Sequence, residues 1–600
     1  MVTASEPRLP GIAVEIQAPP LEEKLPRMDI AMFVGFTEKG CLHTPKVVED
    51  AEEFTRAFGA DLPLAWDAER GEIAFGCLGA AVRGFFRNGG RRCWVVRVPT
   101  PTAERSLADV FLDTGLKTIG TERLVAEADF IRYQSPNLRS LTGIYRALDV
   151  EEVTLIAVPD AVHRGRHAAR QLPAEQPIPS PPLQRPAWWH FLPCPLPSDL
   201  PRVTEPEWGN FLGCDERVIA PTVLQASEVD PITSTVTLHW ETSPPAAEAR
   251  YFLEEATTVD FRDAVLLYSG PETMQTLYGR AAGDYYYRAR LEAAGRSSDW
   301  SNGVVVRVSR IPAQELDSAG AYSDAALLAV HRALLRICAA RGDMFALLSL
   351  PEHYREPEAI AHAELLRSRA GEAPPTEDVV PFGYGEAAVP SYGAIYHPWL
   401  VYRDEAQALT ERRSPPCGTM SGMFARRALR RGAWIAPANE PLRGVVALEP
   451  RITERYHLSL QEARVNLVRQ EPRGFLVLNA DTLGADDRRP IPVRRLLSLV
   501  RRLALRHGAT YVFEPNDPPF RRAVKRGFEA LLEQMFVRGA FAGATSGTSY
   551  QVSVDETINP PAGVEQGRFV VELRIAPSLP MTFLTIRLVQ TGDRSVVTEG

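Results

Sequence analysis

The sequence predicts an α/β (α+β) core assembled from discontinuous N- and C-terminal segments, with an all-β sandwich inserted between them. Three observations lead there. Apolar strands alternate with amphipathic helices toward both ends of the chain. A series of short alternating strands fills part of the middle. Ahead of that series, ten of the fifty prolines crowd between Pro173 and Pro201. A chain of 600 residues exceeds what one hydrophobic core organises, so about two to four domains are expected.

The elements follow in order. In GIAVEIQ (11–17), Ile12, Val14 and Ile16 share one face, a strand signature. MDIAMFVGFTEKG (28–40) reads as a buried strand running into a glycine-bearing turn, and EDAEEFTRAFG as a short helix with Phe54 and Phe58 one turn apart. IAFGCLGAAVRGFFRNGG (73–90) reads as one helix closed by Gly89-Gly90, and CWVVRV (93–98) as the next strand. VTLIAVPD continues the α/β pattern. The proline-rich stretch excludes helix and central strand, because proline removes a donor and fixes φ. It reads as an extended linker anchored by Trp188, Trp189 and Phe191, in which His190 and Cys194 lack the second pair a metal site would need.

STVTLHWET (234–242), RYFLEEA (250–256), AVLLYSG (264–270), YYYRARLEAAG (285–295) and VVVRV (304–308) then alternate at sandwich spacing. Val236, Leu238 and Trp240 share one face, as do Tyr285, Tyr287, Ala289 and Leu291. The helical stripe Leu327, Val330, Leu334, Leu335 and Cys338 opens a segment that reads as helix from 326 to 353. Everything between about 162 and 312 is therefore expected to be an insertion at a loop tip, where additions are best tolerated. YGAIYHPWLVYRD reads as a strand. Val493, Leu496, Leu497, Val500, Leu503 and Ala504 form the inner stripe of one late helix; Phe520, Val524, Phe528, Leu531, Leu532 and Met535 form that of the next. RFVVELRIA (568–576) and MTFLTIRLV (581–589) close the chain; in the latter Leu584, Ile586 and Leu588 face one way, Phe583, Thr585 and Arg587 the other.

Composition bounds the chemistry. Apolar residues make up 45% and charged residues 24% of the chain, ordinary values for a folded protein. Lys and Arg number 67 against 75 Asp and Glu, a net charge of −8 that argues against bulk nucleic-acid binding. The opening MVTASEPRLPGIAVEIQAPP has no secretory pattern, and no run of apolar residues suffices to span a membrane. Seven scattered cysteines suggest reduced thiols, hence synthesis in the cytoplasm.

YVFEPNDPPF poses the main chemical question. Glycosidases hold two carboxylates about 5 to 10 Å apart, and Glu514 with Asp517, or Asp555 in DET, offers the residue types. The competing reading makes Asn516 or Asp517 the cap of a helix whose first residues are Pro518-Pro519, with Glu514 meeting one of several nearby arginines. No P-loop, dinucleotide fingerprint, HExxH, paired CxxC or GxSxG is present, so no catalytic, cofactor or metal residue is assigned. Between Ile491 and Arg538, however, ten basic residues stand against four acidic ones. Arg494, Arg495, Arg501, Arg502, Arg521, Arg522, Lys525 and Arg526 read as a basic face, either merely solvated or docking an acidic partner. The terminal strands are too small to stand alone and need a sheet edge, in this copy or a neighbour.

The strand tryptophan, the YxYxAxL strand and DWSN (299–302) resemble a fibronectin type III domain over 219–309. GIAVEI, AMFVGFTEKG and AVRGFFRNGGRRCWVVRV, then YHPWLVYRD, PPCGTMSGMFARR, APANEPLRGVVAL, YVFEPNDPPFRRAVKRGFEALL and DETINPP…EQGRFVVELRIAPSLPMTFLTIRL resemble contractile tail sheath proteins over about 1–160 and 320–590. That resemblance implies an N-terminal arm (1–27), a sheath domain in two pieces (28–161 and 310–390) around the Pro-rich segment (162–218) and the fibronectin-like insert (219–309), a C-terminal core (391–576) and a C-terminal arm (577–600). It implies hexameric rings of this chain stacked around an inner tube, with baseplate and terminator or cap proteins and an AAA+ ATPase as further partners. Nucleic acid, membrane insertion, cofactors and enzymatic activity are not implied. Ile12, Val14 and Ile16, and Phe583, Leu584, Thr585, Ile586 and Leu588, match the arms that add strands to neighbours. Asn516, Arg521, Arg522, Lys525, Arg526 and Glu529 match the tube-facing region. Assembly is implied in the cytoplasm, within a phage tail or a released injection particle. The alternatives are a secreted carbohydrate-active hydrolase with a fibronectin module and a non-contractile filament or adhesin.

Overall fold

In the computed structural model the described residues are 25–101, 106–168, 222–227, 229, 235–241, 249–277, 283–293, 296–308, 314–369, 380–403, 411–485, 487–511, 514–578, 584–591 and 594–599. The arm residues Ile12, Val14, Ile16 and Phe583, the anchors Trp188, Trp189 and Phe191, and His190 and Cys194 lie outside them. The chain divides into two compact units. One holds residues up to 61, 76–163 and 323–600, the other 62–75 and 164–322.

The first unit is built on an eight-stranded sheet. Its elements in chain order begin with β1 (Ala31–Gly35), β2 (Lys46–Val48), α1 (Ala51–Phe58), α2 (Leu78–Arg87), β3 (Cys93–Arg97) and β4 (Leu155–Ala157). Next come α3 (Ala325–Arg341), β5 (Phe345–Ser349), α4 (Glu356–Arg367), β6 (Gly393–His397), α5 (Cys417–Arg431), β7 (Val465–Glu471) and β8 (Gly474–Val477). The spatial order is β2-β3-β1-β4-β5-β6-β7-β8. The six inner strands run parallel and an antiparallel strand closes each edge. Parallel strands buried on both faces require unbroken apolar runs, and AMFVG and FALLS supply them with every residue buried. On one face Phe33, Val95, Leu155, Leu347 and Tyr396 share a core with Phe54 and Phe58 of α1, Val82 and Phe85 of α2, and Met420 and Phe424 of α5.

Helices α2 and α5 approach closely because glycines line the contact. A Cβ on Gly418 would stand 2.3 Å from the Ala81 carbonyl oxygen, one on Gly422 2.3 Å from that of Phe85, and one on Gly84 2.7 Å from Thr419 Oγ1. The glycines of PPCGTMSGMF are thereby explained by packing.

A second core of the same unit joins α6 (Ile491–Thr510) and α7 (Pro518–Val537) to an antiparallel sheet of β9 (Tyr550–Ser553), β10 (Arg568–Ile575), β11 (Leu584–Thr591) and β12 (Arg594–Glu599), in that order. Every residue of the α6 stripe is buried, and of the α7 stripe only Phe520 is half-buried.

The other unit contains two antiparallel sheets that share one core. Strands Val223–Ala226, Val236–Glu241 and Met274–Leu277 form one; Arg250–Ala256, Val265–Gly270, Gly283–Ala293, Arg296–Ser297 and Val304–Val308 form the other. Leu224, Val236, Leu238 and Trp240 meet Tyr251, Leu253, Tyr287, Ala289 and Leu291 between them. In DWSN, the Ser301 hydroxyl accepts the Ala289 N–H at 2.9 Å, and Asn302 bonds Leu224 through both its N–H and carbonyl at 2.9 Å. Arg288 and Arg290 lie on the Trp300 ring at 4.1 and 4.8 Å, a cation–π ladder that fixes the segment. A four-stranded sheet completes the unit: hairpin Glu72–Phe75 and Pro63–Asp67, then Gln314–Leu316, then Arg166–Ala168. The outgoing strand Arg166–Ala168 and the returning Gln314–Leu316 are antiparallel partners, Ala168 facing Gln314.

Three element readings change. Residues 73–90 are a strand end, a break at Gly76 and helix α2, because Ile73 and Ala74 are held in the hairpin opposite Trp66 and Ala65. The helix expected over 326–353 stops at Arg341, where Gly342 takes φ +74 and donates to the Cys338 carbonyl; β5 follows. YGAIYHPWLVYRD divides at Pro398, which has no N–H for a ladder, into β6 and a separate strand, Trp399–Arg403.

Candidate functional site

The segment EPNDPP positions the most distinctive surface. Asp517 is extended, and its Oδ1 accepts the Phe520 N–H at 2.8 Å, capping α7, with Pro518 and Pro519 in the first turn where no donor is needed. Asn516 braces the turn: its Oδ1 accepts from Arg521 Nε at 2.7 Å and its amide donates to the Arg568 carbonyl at 3.3 Å. With Val524, Phe528, Leu531, Leu532 and Met535 inward, helical periodicity turns Arg522, Lys525 and Arg526 outward, and all three are exposed. Lys525 stands 3.8 Å from Glu529, an exposed i,i+4 pair worth little by itself.

Between this face and β9 runs an open groove of about 890 Å³. Arg521, Arg522, Lys525 and Glu529 line its helical side; Tyr550, Val552, Asp555 and Glu556 line the other. The Thr557 hydroxyl and backbone N–H both donate to Asp555, which holds its carboxyl below the usual range with help from the nearby Lys525 charge. Tyr550 donates to Glu533 Oε2 at 2.7 Å, and burial with that acceptor pushes the phenol up.

The basic face is narrower than the sequence suggests. Arg494, Arg495 and Arg502 of α6 are buried. The Arg494 guanidinium covers the Tyr392 ring at 4.1 Å. Arg495 donates to the Met28 carbonyl and lies over Phe424 at 5.1 Å; burial lowers its pKa to about 10. Arg502 pairs with Asp343 at 2.7 Å and donates to the Glu151 carbonyl at 2.9 Å. Arg501 stacks against Gly342. These arginines staple α6 to the body, leaving the face to Arg521, Arg522, Lys525 and Arg526. The groups that Arg494, Arg495 and Arg502 meet lie far away in the chain, beyond the reach of local patterning.

Asp517 is used as a cap and Asp555 as the anchor of its own turn, so two of the three acids considered for catalysis have structural employment. Leu584, Thr585, Ile586 and Leu588 lie in β11, opposite Ile575, Arg574, Leu573 and Val571 of β10, with β12 on the far side. Among the described residues of one copy, the sheet's outer strands are β9 and β12.

Known structures match this fold end to end. A chain of the anti-feeding prophage baseplate in the contracted state aligns at TM-score 0.50 and 16% identity, covering 96% of this chain and 97% of that one. The helical sheath of the same particle in the contracted state aligns at 0.47 and 17%, covering 96% and 98%. A human fibronectin type III domain matches 17% of this chain and 80% of its own length, at TM-score 0.15 and 20% identity. No family model and no curated protein matches the sequence. The chain thus shares the mixed α/β fold of that baseplate chain.

Proposed function

We propose that this chain is the structural subunit of a contractile tail sheath, polymerising as stacked hexameric rings around an inner tube. The observation that carries the reading is the end-to-end correspondence of fold with the contractile-particle baseplate chain. The ordered sheath-like motifs from GIAVEI to MTFLTIRL support it. In this reading contraction repacks subunit bodies, and the free energy comes from the tighter interfaces between copies in the shorter state. Catalysis plays no part.

The α7 face supplies the tube-facing surface, with Asn516 setting its angle and Arg521, Arg522, Lys525, Arg526 and Glu529 meeting a partner of complementary charge. The arms join copies. The β11–β12 hairpin follows the PSLP connection (577–580), and pairing it with β10 of an adjoining copy exchanges identical strands at little cost in free energy. The segment around Ile12, Val14 and Ile16 adds a further strand, with Pro19-Pro20 as its hinge. The two-sheet region at 219–309 is a fibronectin type III-like insert carried on the outside. Baseplate and terminator proteins cap the polymer, and an AAA+ ATPase recycles it.

Negative-stain microscopy of the expressed chain tests this. Ridged tubes or stacked rings are expected. Dispersed monomers that hydrolyse polysaccharide, or smooth filaments without rings, overturn it.

A further inference from the structure

We propose that Cys77, Asp160 and His163 form a zinc site at the C-terminal end of the parallel sheet. The first unit's sheet changes direction between β1 and β4: from β1 the chain proceeds to β3 on one side, and β4 begins the strands on the other. Crevices at such reversals, beyond the carboxyl ends of parallel strands, are where α/β folds bind ligands. The three residues meet there. Asp160 lies three residues beyond the end of β4, in the turn Pro159–Val162, and Cys77 is the residue before α2. The Cys77 sulfur, an Asp160 oxygen and a His163 nitrogen all lie within 4.8 Å of one another.

The donor set is specific. Thiolate, imidazole and carboxylate together suit Zn²⁺ better than the oxygen-seeking Mg²⁺ or Ca²⁺. Asp160 is already oriented: Oδ2 accepts the Phe36 N–H at 2.7 Å and Oδ1 accepts the Cys77 N–H at 2.5 Å. Such backbone support is the outer shell that fixes a ligating carboxylate. Gly35 makes room, since a Cβ there would stand 2.2 Å from Asp160 Oδ2. His163 Nε2 lies 2.9 Å from Asp160 Oδ1 and stacks on Phe36. Cys77 is 3% exposed, so its thiol faces these two polar groups away from bulk water. Burial and the Asp160 charge push that thiol well above its ordinary range.

Binding balances simply. The Cys77 thiol releases its proton to solvent as the S–Zn bond forms. The His163 ring proton moves to Nδ1, leaving Nε2 free to bind, and the ion's charge replaces both protons against Asp160. Ligands on a tetrahedral zinc stand about 3.5 Å apart, so the hydrogen-bonded His163–Asp160 pair, at 2.9 Å, opens slightly around the ion and Cys77 adjusts to it, with water completing the set.

The test uses the full chain, stripped with chelator and dialysed against Zn²⁺ or Co²⁺ alone. One zinc per chain is expected, with a thiolate-to-cobalt charge-transfer band in the Co²⁺ form. Cys77→Ser should abolish the band and weaken zinc binding by about tenfold or more. His163→Gln, at a half-buried position that folding tolerates better, should weaken zinc binding similarly, and Cys41→Ser should change nothing. A chain that takes up no zinc, or a cobalt form without the band, overturns the site; so does zinc uptake unaffected by either ligand substitution. Asp160 is then a backbone brace only.

Discussion

His397 ends β6 fully buried, with neither ring nitrogen hydrogen-bonded among the described residues. Burial drops its pKa to about 4 from an ordinary 6.5. The sign is fixed by linkage. Because the folded value is depressed, the unfolded chain takes the proton first. Stability is whole above pH 6.5 and is lost as pH falls toward 4, by up to about 3 kcal/mol. His397→Phe should flatten that limb of a urea-unfolding series between pH 7 and 4; an unchanged slope contradicts the assignment. Glu386 acts lower on the scale. Burial would raise it, but hydrogen bonds from Arg336, Thr121 and the Gly383 N–H outweigh burial and hold it at about 2. Its contribution is therefore present above pH 4.5 and disappears toward pH 2. At the helix cap, Asp517→Ala should cost about 1 kcal/mol in chemical denaturation. Capping was legible in the sequence because Asp517, Pro518 and Phe520 are chain neighbours. The buried roles of Arg494, Arg495 and Arg502 were not, since Tyr392, Met28 and Asp343 reach them only through the fold.

At the scale of elements, periodicity located the stripes of α3, α6 and α7, but it did not show that α3 and α6 are buried on nearly all sides, Arg332 and Arg336 of α3 and Arg494 and Arg495 of α6 included. It failed where only a short polar break, Arg341-Gly342-Asp343, separates two apolar runs. Leu347 and Leu348 resume the apolar pattern after that break, where the left-handed Gly342 ends the helix and the strand begins. The α2–α5 contact also makes a firm demand. Gly422→Ala places a methyl against the Phe85 carbonyl, and overpacking of this kind costs about 1–3 kcal/mol. A lower thermal midpoint with unchanged far-ultraviolet dichroism is expected; a midpoint equal to the parent's rules out tight helix contact. Conversely, Arg522→Glu with Lys525→Glu alters only the exposed face of α7. The proposed docking role predicts a parental melting curve but failure to assemble on a tube, visible as sedimentation of free subunits.

For the whole molecule, the proposal separates parts that build the polymer from parts it carries. Deleting residues 1–18 should leave a folded chain that forms no contractile sheath in the microscope; normal contracting particles would refute the arm assignment. Deleting 219–309 should spare ring formation. The short strands Val236–Glu241 and Arg250–Ala256 were readable from their alternating spacing. The hairpin 63–75 was not assigned to the module's unit, because nothing in PLAWD signals that its partner at Glu315 arrives so much later in the chain.

The pairing of Arg166–Ala168 with Gln314–Leu316 has a practical consequence. Since the two chain ends leaving that ladder are neighbours, separated by about 5 Å, any foreign fold whose own termini lie side by side has a ready socket there. In the proposed sheath, an affinity tag, a fluorescent reporter or a receptor-binding module plugged between them would recur on every copy, turning the polymer into a dense presentation scaffold.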